Sequence, residues 1–144
     1  MNLYAESSAI LCWLLDEDRA PEIRAPLGEA ELVLASCLTL IECERVLIRA
    51  VATNLLREAV AADRRAVLAR TGDHWVTFDL DAEVVARARR PFPAEPICTL
   101  NAIHLATAVL ARSLVPDLAI LSLDERFRRS AEQMGFQVLP GAAA

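Results

Sequence analysis

The chain has 144 residues, 55% of them hydrophobic, with four glycines and a formal net charge of −5, which suits one ordered, core-forming domain and excludes a disordered chain. All 15 cationic side chains are arginine, so Schiff-base chemistry and a lysine-dependent phosphate loop are excluded. The acidic balance also argues against indiscriminate nucleic-acid binding, whose affinity rests on cationic neutralisation.

In chain order, LYA near residue 4 is a short apolar run ending at Glu6, and SSAILCWLL opens a helix behind a serine cap. Its AILCWLL core lacks a basic leader and runs straight into DEDR, so it is no secretory signal. No segment approaches the roughly 18 apolar residues of a membrane helix. ELVLAS at 31–36 is a second strand-like run, followed by two helical stretches at about 38–52 and 54–70 with Gly72 as a stop. HWVTFDL is a third strand-like run and DAEVVARARR a helix, and PFPAEP, with three prolines in six residues, is a loop. A helix over 99–112 follows, then DLAILS as a fourth strand, DERFRRSAEQMG as a helix ending in glycine, and FQVL as a fifth strand. The single domain spans 1–140, and 141–144 reads as a frayed tail.

Strands alternating with helices, in runs apolar enough to be covered on both faces, predict an α/β fold. The expected form is a three-layer α/β/α sandwich around a mostly parallel sheet of about five strands. In such sheets the site lies beyond the carboxyl ends of the strands. Glu6 follows the first strand, Glu42 lies in the helix after the second, Asn101 opens the helix after the proline loop, and Asp124 follows the fourth. Asp117 precedes the fourth strand and belongs to the opposite edge. Three carboxylates converging on one edge repel and need protons or a cation. Oxygen-only ligands suit Mg²⁺ or Mn²⁺.

Each residue also has a structural explanation. Thr39 and Glu42 spell a capping box, with Arg45 and Arg49 on the same face for a surface ion pair. Ser122 and Glu125 spell another box, Asp124 suits a helix start, Glu6 a solvated turn and Asn101 an N-cap. Asn101, His104 and Thr107 recur three apart as one polar stripe on an otherwise apolar helix. His104 reads as a hydrogen-bonded core residue before a catalytic base. The arginine run at 87–90 reads as a solvated helix end. The cysteines Cys12, Cys37, Cys43 and Cys98, in apolar segments without a CxxC pair, read as buried reduced thiols of a cytoplasmic protein. His74 and His104 are too far apart for a zinc motif.

The stretches LYAESSAI, LASCLTLIECERVLIR, LNAIHLATAVLAR and ILSLDERFRRSAEQMGFQVLP together resemble the PIN domains, in particular bacterial VapC-type toxins. They occur in family order and cover nearly the whole chain. The resemblance implies a compact α/β/α metal-dependent endoribonuclease, cutting RNA with Mg²⁺ or Mn²⁺. It also implies a homodimer held inactive by a cognate antitoxin, with no membrane association. It places the family's four acidic positions on Glu6, Glu42, Asn101 and Asp124, with Glu6, Glu42 and Asp124 as metal ligands. Ser7, Ser8 and Ser122 fall where the family carries supporting hydroxyls, and Arg126, with Arg128 and Arg129 beside it, is placed to bind and steer RNA. Two positions depart from the pattern. Glu6 replaces aspartate and is longer by one methylene, about 1.5 Å. Asn101 replaces an acid with a neutral amide, which lowers the site's formal charge from about −4 to about −3 and cannot act as a base. These departures support an alternative, a catalytically weakened PIN-like domain serving as an RNA-binding or regulatory module. A phosphoacceptor receiver domain, the other open-sheet candidate, would need a late lysine, and the chain has none.

Overall fold

The structure is a computed structural model that describes residues 1–141; most of the expected 141–144 tail lies outside the described residues. Five strands form one sheet: β1 (Asn2–Ala5), β2 (Leu32–Ser36), β3 (Val76–Phe78), β4 (Leu118–Leu121) and β5 (Val138–Leu139). The order is β3-β2-β1-β4-β5 and every pairing is parallel. The helices are α1 (Ser7–Leu14), α2 (Ala20–Glu29), α3 (Cys37–Ala52), α4 (Glu58–Gly72), α5 (Ala82–Ala88), α6 (Thr99–Leu114) and α7 (Glu125–Gln133).

Side chains alternate across a strand, and the two apolar sets of the central strands collect different helices. Tyr4, Leu34 and Ile120 pack with Val84 of α5, Leu105 of α6 and Phe127 of α7. Leu3, Ala119 and Leu121 pack with Ala9 and Cys12 of α1 and Ile23 of α2. Ala5 and Ala35 join Ile10 of α1, Leu47 of α3 and Leu68 of α4 on that same face. The result is the expected three-layer sandwich.

Three elements differ from the sequence reading. Helix α2 is hidden in the sequence by Pro21 and Pro26; a proline in the first turn costs no hydrogen bond. Helix α4 starts at Glu58 and not near 54, because Asn54 turns the chain with φ +61. Strand β3 has three residues at the sheet edge, shorter than the HWVTFDL run.

Strand β1 pairs with β2 on one side and β4 on the other, so the strand order reverses beside it. That reversal opens a crevice at the carboxyl ends of β1 and β4. Asp117 lies at the other edge, where Asn2 donates to its carboxylate at 3.0 Å.

Candidate active site at the carboxyl edge of the sheet

Glu6 leaves β1 and becomes the N-cap of α1, its Oε1 accepting from the Ser8 backbone N–H at 3.1 Å. The cap is therefore a glutamate and not the serine expected. Its Oε2 accepts from the hydroxyls of Ser8 and, at 2.6 Å, Ser122. Each serine in turn accepts from a backbone amide after β4, Ser8 from Leu123 at 2.8 Å and Ser122 from Asp124 at 3.1 Å. Glu6 is only 4% exposed, and these donors stabilise its charge where burial would otherwise penalise it.

Glu42 projects from α3, which is capped by Ser36 and braced by Thr39, whose hydroxyl donates to the Ala5 carbonyl at 3.0 Å. Thr39 thus ties α3 to the end of β1 instead of forming the capping box. Glu42 Oε1 accepts from Ser7 at 2.6 Å and from His104 Nε2 at 2.7 Å. Its partner is therefore the His104 imidazole, and neither Arg45 nor Arg49 pairs with it among the described residues.

His104 is 1% exposed. Its Nδ1 meets the Tyr4 hydroxyl at 2.8 Å, and its ring packs edge-on against Phe127 with centroids 6.0 Å apart. Burial and the charge of Glu6 hold the Tyr4 hydroxyl well above the usual tyrosine range, so Tyr4 keeps its proton and donates to Nδ1. Nε2 then carries the proton it gives to Glu42, since an ionised carboxylate only accepts. The expected core role of His104 and its place beside an acid are the same arrangement: Tyr4, His104, Glu42 and Ser7 form one buried chain.

Burial raises the Glu42 carboxyl, but the hydrogen bonds of His104 and Ser7 and the nearby imidazole outweigh it and hold the group below the usual 4.5. A carboxyl depressed on folding adds stability that is complete above 4.5 and lost as pH falls through the lower folded value. The urea midpoint of the wild type is accordingly expected to fall more steeply below pH 4.5 than that of Glu42→Gln. Parallel pH profiles of the two proteins would contradict that linkage.

Asp124 follows β4 and caps α7, its Oδ1 accepting from Phe127 N–H at 2.9 Å. It takes the capping role that Ser122 and Glu125 were expected to share. Asn101 sits in the first turn of α6 but is not its N-cap, which is Cys98. It is 9% exposed, and its amide makes no hydrogen bond among the described residues. Glu6 and the Asp124 backbone are thus tied together through Ser8 and Ser122, and Glu42 is held separately by Ser7 and His104, while Asn101 stands one helical turn from His104 and joins neither network.

Among the described residues no group of three or more His, Cys, Asp and Glu side chains is set up to hold a metal ion. The donor set still fits a hard cation that binds through one or two carboxylates and keeps its waters. Glu42 Oε2 and Asp124 Oδ2 make no hydrogen bond among the described residues, whereas three donors already occupy Glu6.

Of the arginines after Asp124, Arg128 is structural, donating to the Ser122 and Pro140 carbonyls at 2.7 Å each. Arg126 and Arg129 line a cavity together with Asn101. Sequence reasoning missed Tyr4, which no spacing rule links to His104. Cys12 and Cys43 are buried as expected and burial pushes the Cys43 thiol up to about 12, but Cys37 is only half-buried and Cys98 is exposed, against expectation. All four are free thiols.

Residues 3–133 match the family model described as PIN domain. Two curated relatives, both named Ribonuclease VapC35, come from Mycobacterium tuberculosis strains CDC 1551 / Oshkosh and ATCC 25618 / H37Rv. Each is 33% identical over 99% of this chain and 90% of its own length. The crystal structure of Mycobacterium tuberculosis VapC20, titled a sarcin-ricin loop cleaving toxin, superposes with a TM-score of 0.63 over 93% of this chain and 95% of that one. At 14% identity that likeness speaks for the fold alone. With the family model spanning nearly all of the sheet and its helices, and relatives aligned end to end, this chain belongs to the PIN-domain family.

Proposed function

We propose that this protein is an endoribonuclease that hydrolyses RNA phosphodiester bonds with Mg²⁺ or Mn²⁺, as the toxin of a toxin–antitoxin pair. The observation that carries this reading is the delivery of Glu6, Glu42 and Asp124 by three separate segments to the carboxyl edge of the sheet, where Ser8 and Ser122 hold Glu6 and Ser7 holds Glu42. The named ribonuclease relatives supply the substrate class.

A bound divalent cation supplies a water of lowered pKa and neutralises charge at the scissile phosphate. Glu42 and Asp124, each with a free carboxylate oxygen, are the residues that would hold it. Glu6 orients the crevice through Ser8 and Ser122 and would act on a bound cation through its water shell. Asn101 offers a neutral oxygen, so metal affinity is expected to be weaker than for an all-acid site and to lean towards Mn²⁺. Arg126 binds the RNA backbone. An antitoxin with an arginine-bearing tail would suit the acidic crevice. Ile41 and Ile48, both exposed on one face of α3, support a homodimer.

The test is cleavage of a panel of structured RNAs with Mg²⁺ or Mn²⁺ by wild type and Asn101→Asp. Metal-dependent cleavage that Asn101→Asp accelerates is the expected result. Absence of cleavage by both favours the second reading, a weakened RNA-binding or regulatory module, for which the neutral Asn101 and the lack of a ready three-group metal cage among the described residues speak.

A further inference from the structure

Beside the carboxylates lies a cavity of about 580 Å³, walled by the Pro93–Cys98 loop on one side and by α7 on the other, with Asn101 between them. Its charge is unlike that of the adjoining crevice. Arg126, Arg129 and Gln133 line it from α7, and neither arginine pairs with a carboxylate among the described residues. The loop's one acid, Glu95, has both oxygens engaged by the Phe92 and Ile97 backbone amides at 2.8 and 2.9 Å. Asn101 is nine-tenths buried as a residue, but its side-chain amide, without a hydrogen-bond partner among the described residues, is open to solvent at the cavity wall. An amide without a protein partner at a cavity wall is free to donate to and accept from a ligand.

From these features we infer that the cavity is a subsite for one nucleotide of an RNA strand, next to the phosphate that lies over the carboxylates. Two arginines match the planar, bidentate recognition of a phosphodiester. The amides of Asn101 and Gln133 each offer a donor and an acceptor, the pattern that a ribose hydroxyl or a base edge requires. The volume falls in the range of small-ligand sites and exceeds what a lone anion fills. The assignment rests on the reading that this edge of the sheet meets RNA.

Cys98 is a built-in reporter, read by peptide mass, because it is exposed and lines the same cavity, whereas Cys12 and Cys43 are buried and Cys37, half-buried, lies outside that cavity's lining. The experiment measures the rate of Cys98 alkylation by iodoacetamide in EDTA, with a single-stranded RNA of about 12 nucleotides, a length typical of such sites, or with AMP. RNA is expected to shield Cys98 at concentrations where AMP does not. Arg126→Gln/Arg129→Gln is expected to weaken RNA binding by about tenfold per arginine and to flatten the salt dependence by about 0.7 in log–log slope for each phosphate no longer neutralised. Arg57→Gln/Arg70→Gln, which removes two exposed arginines of the α4 region, is the charge control. Unshielded Cys98 with bound RNA, equal protection by AMP, or an equal loss in the control would each overturn the subsite. Cleavage by a wild type whose Cys98 stays open removes the subsite alone. Shielding without metal-dependent cleavage keeps the subsite and removes the nuclease.

Discussion

Glu42→Gln is expected to slow RNA cleavage by about 10²–10³-fold, the loss that follows removal of one preorganised electrostatic group, while the fold persists. Glutamine keeps the length of the side chain, and its carbonyl can still accept from Ser7, so packing against Ser7 and His104 is retained. The charge is lost. His104 Nε2 then faces a neutral group, and the oxygen that is free in Glu42 no longer carries the negative charge a hard cation requires. Glu42 is partly exposed, with 25% of its side chain accessible, which limits the cost to stability. Cleavage kinetics beside a thermal melt separate the two effects. A rate loss that tracks unfolding, or no rate loss, would remove Glu42 from the chemistry.

Phe127→Ala should produce the largest loss of stability, about 3–5 kcal/mol for a fully buried aromatic, or roughly 10 °C in thermal midpoint for a chain of this size. Phe127 is 0% exposed and packs in the cluster that holds Tyr4, Leu105 and Ile120. It is also the residue whose backbone N–H Asp124 caps and whose ring lies against His104. Truncation therefore opens a cavity under the acids as well as under α7. Cleavage is expected to fall even at temperatures where the variant stays folded, because α7 carries Asp124 at its start. Urea unfolding of the two proteins checks the stability term, and a loss below about 1 kcal/mol, the range of surface changes and mild core swaps, would contradict the packing described.

Much of this was legible in the sequence because the apolar runs match the periods of the elements they form. LYA and the centres of ELVLAS and DLAILS are short continuous apolar runs, as strands covered on both faces require, and the alternation of strands and helices placed four polar residues at one edge. The hydrogen bonds were less legible. Thr39 and Glu42 have capping-box spacing, yet the Thr39 hydroxyl goes to the Ala5 carbonyl and Glu42 turns to His104, because tertiary partners outcompete local ones. Ser122 likewise serves Glu6 and not a helix end. Helix α2 stayed hidden because its prolines read as breakers, and only the packing of Ala20 and Ile23 under β1 and β4 reveals its buried face. The Tyr4–His104 contact spans a hundred positions of sequence, and no spacing rule links residues so far apart.

The nuclease reading requires Glu42 and Asp124 to share a divalent cation at the end of β1 and β4. Diffraction from crystals soaked in Mn²⁺, recorded at the manganese edge, examines this without reference to activity. The expected result is an anomalous peak within about 2.0–2.4 Å of oxygens from both side chains, the range for hard cations, and its absence in crystals of Asp124→Ala. No peak in the crevice under saturating Mn²⁺, or one that survives Asp124→Ala unchanged, would contradict it.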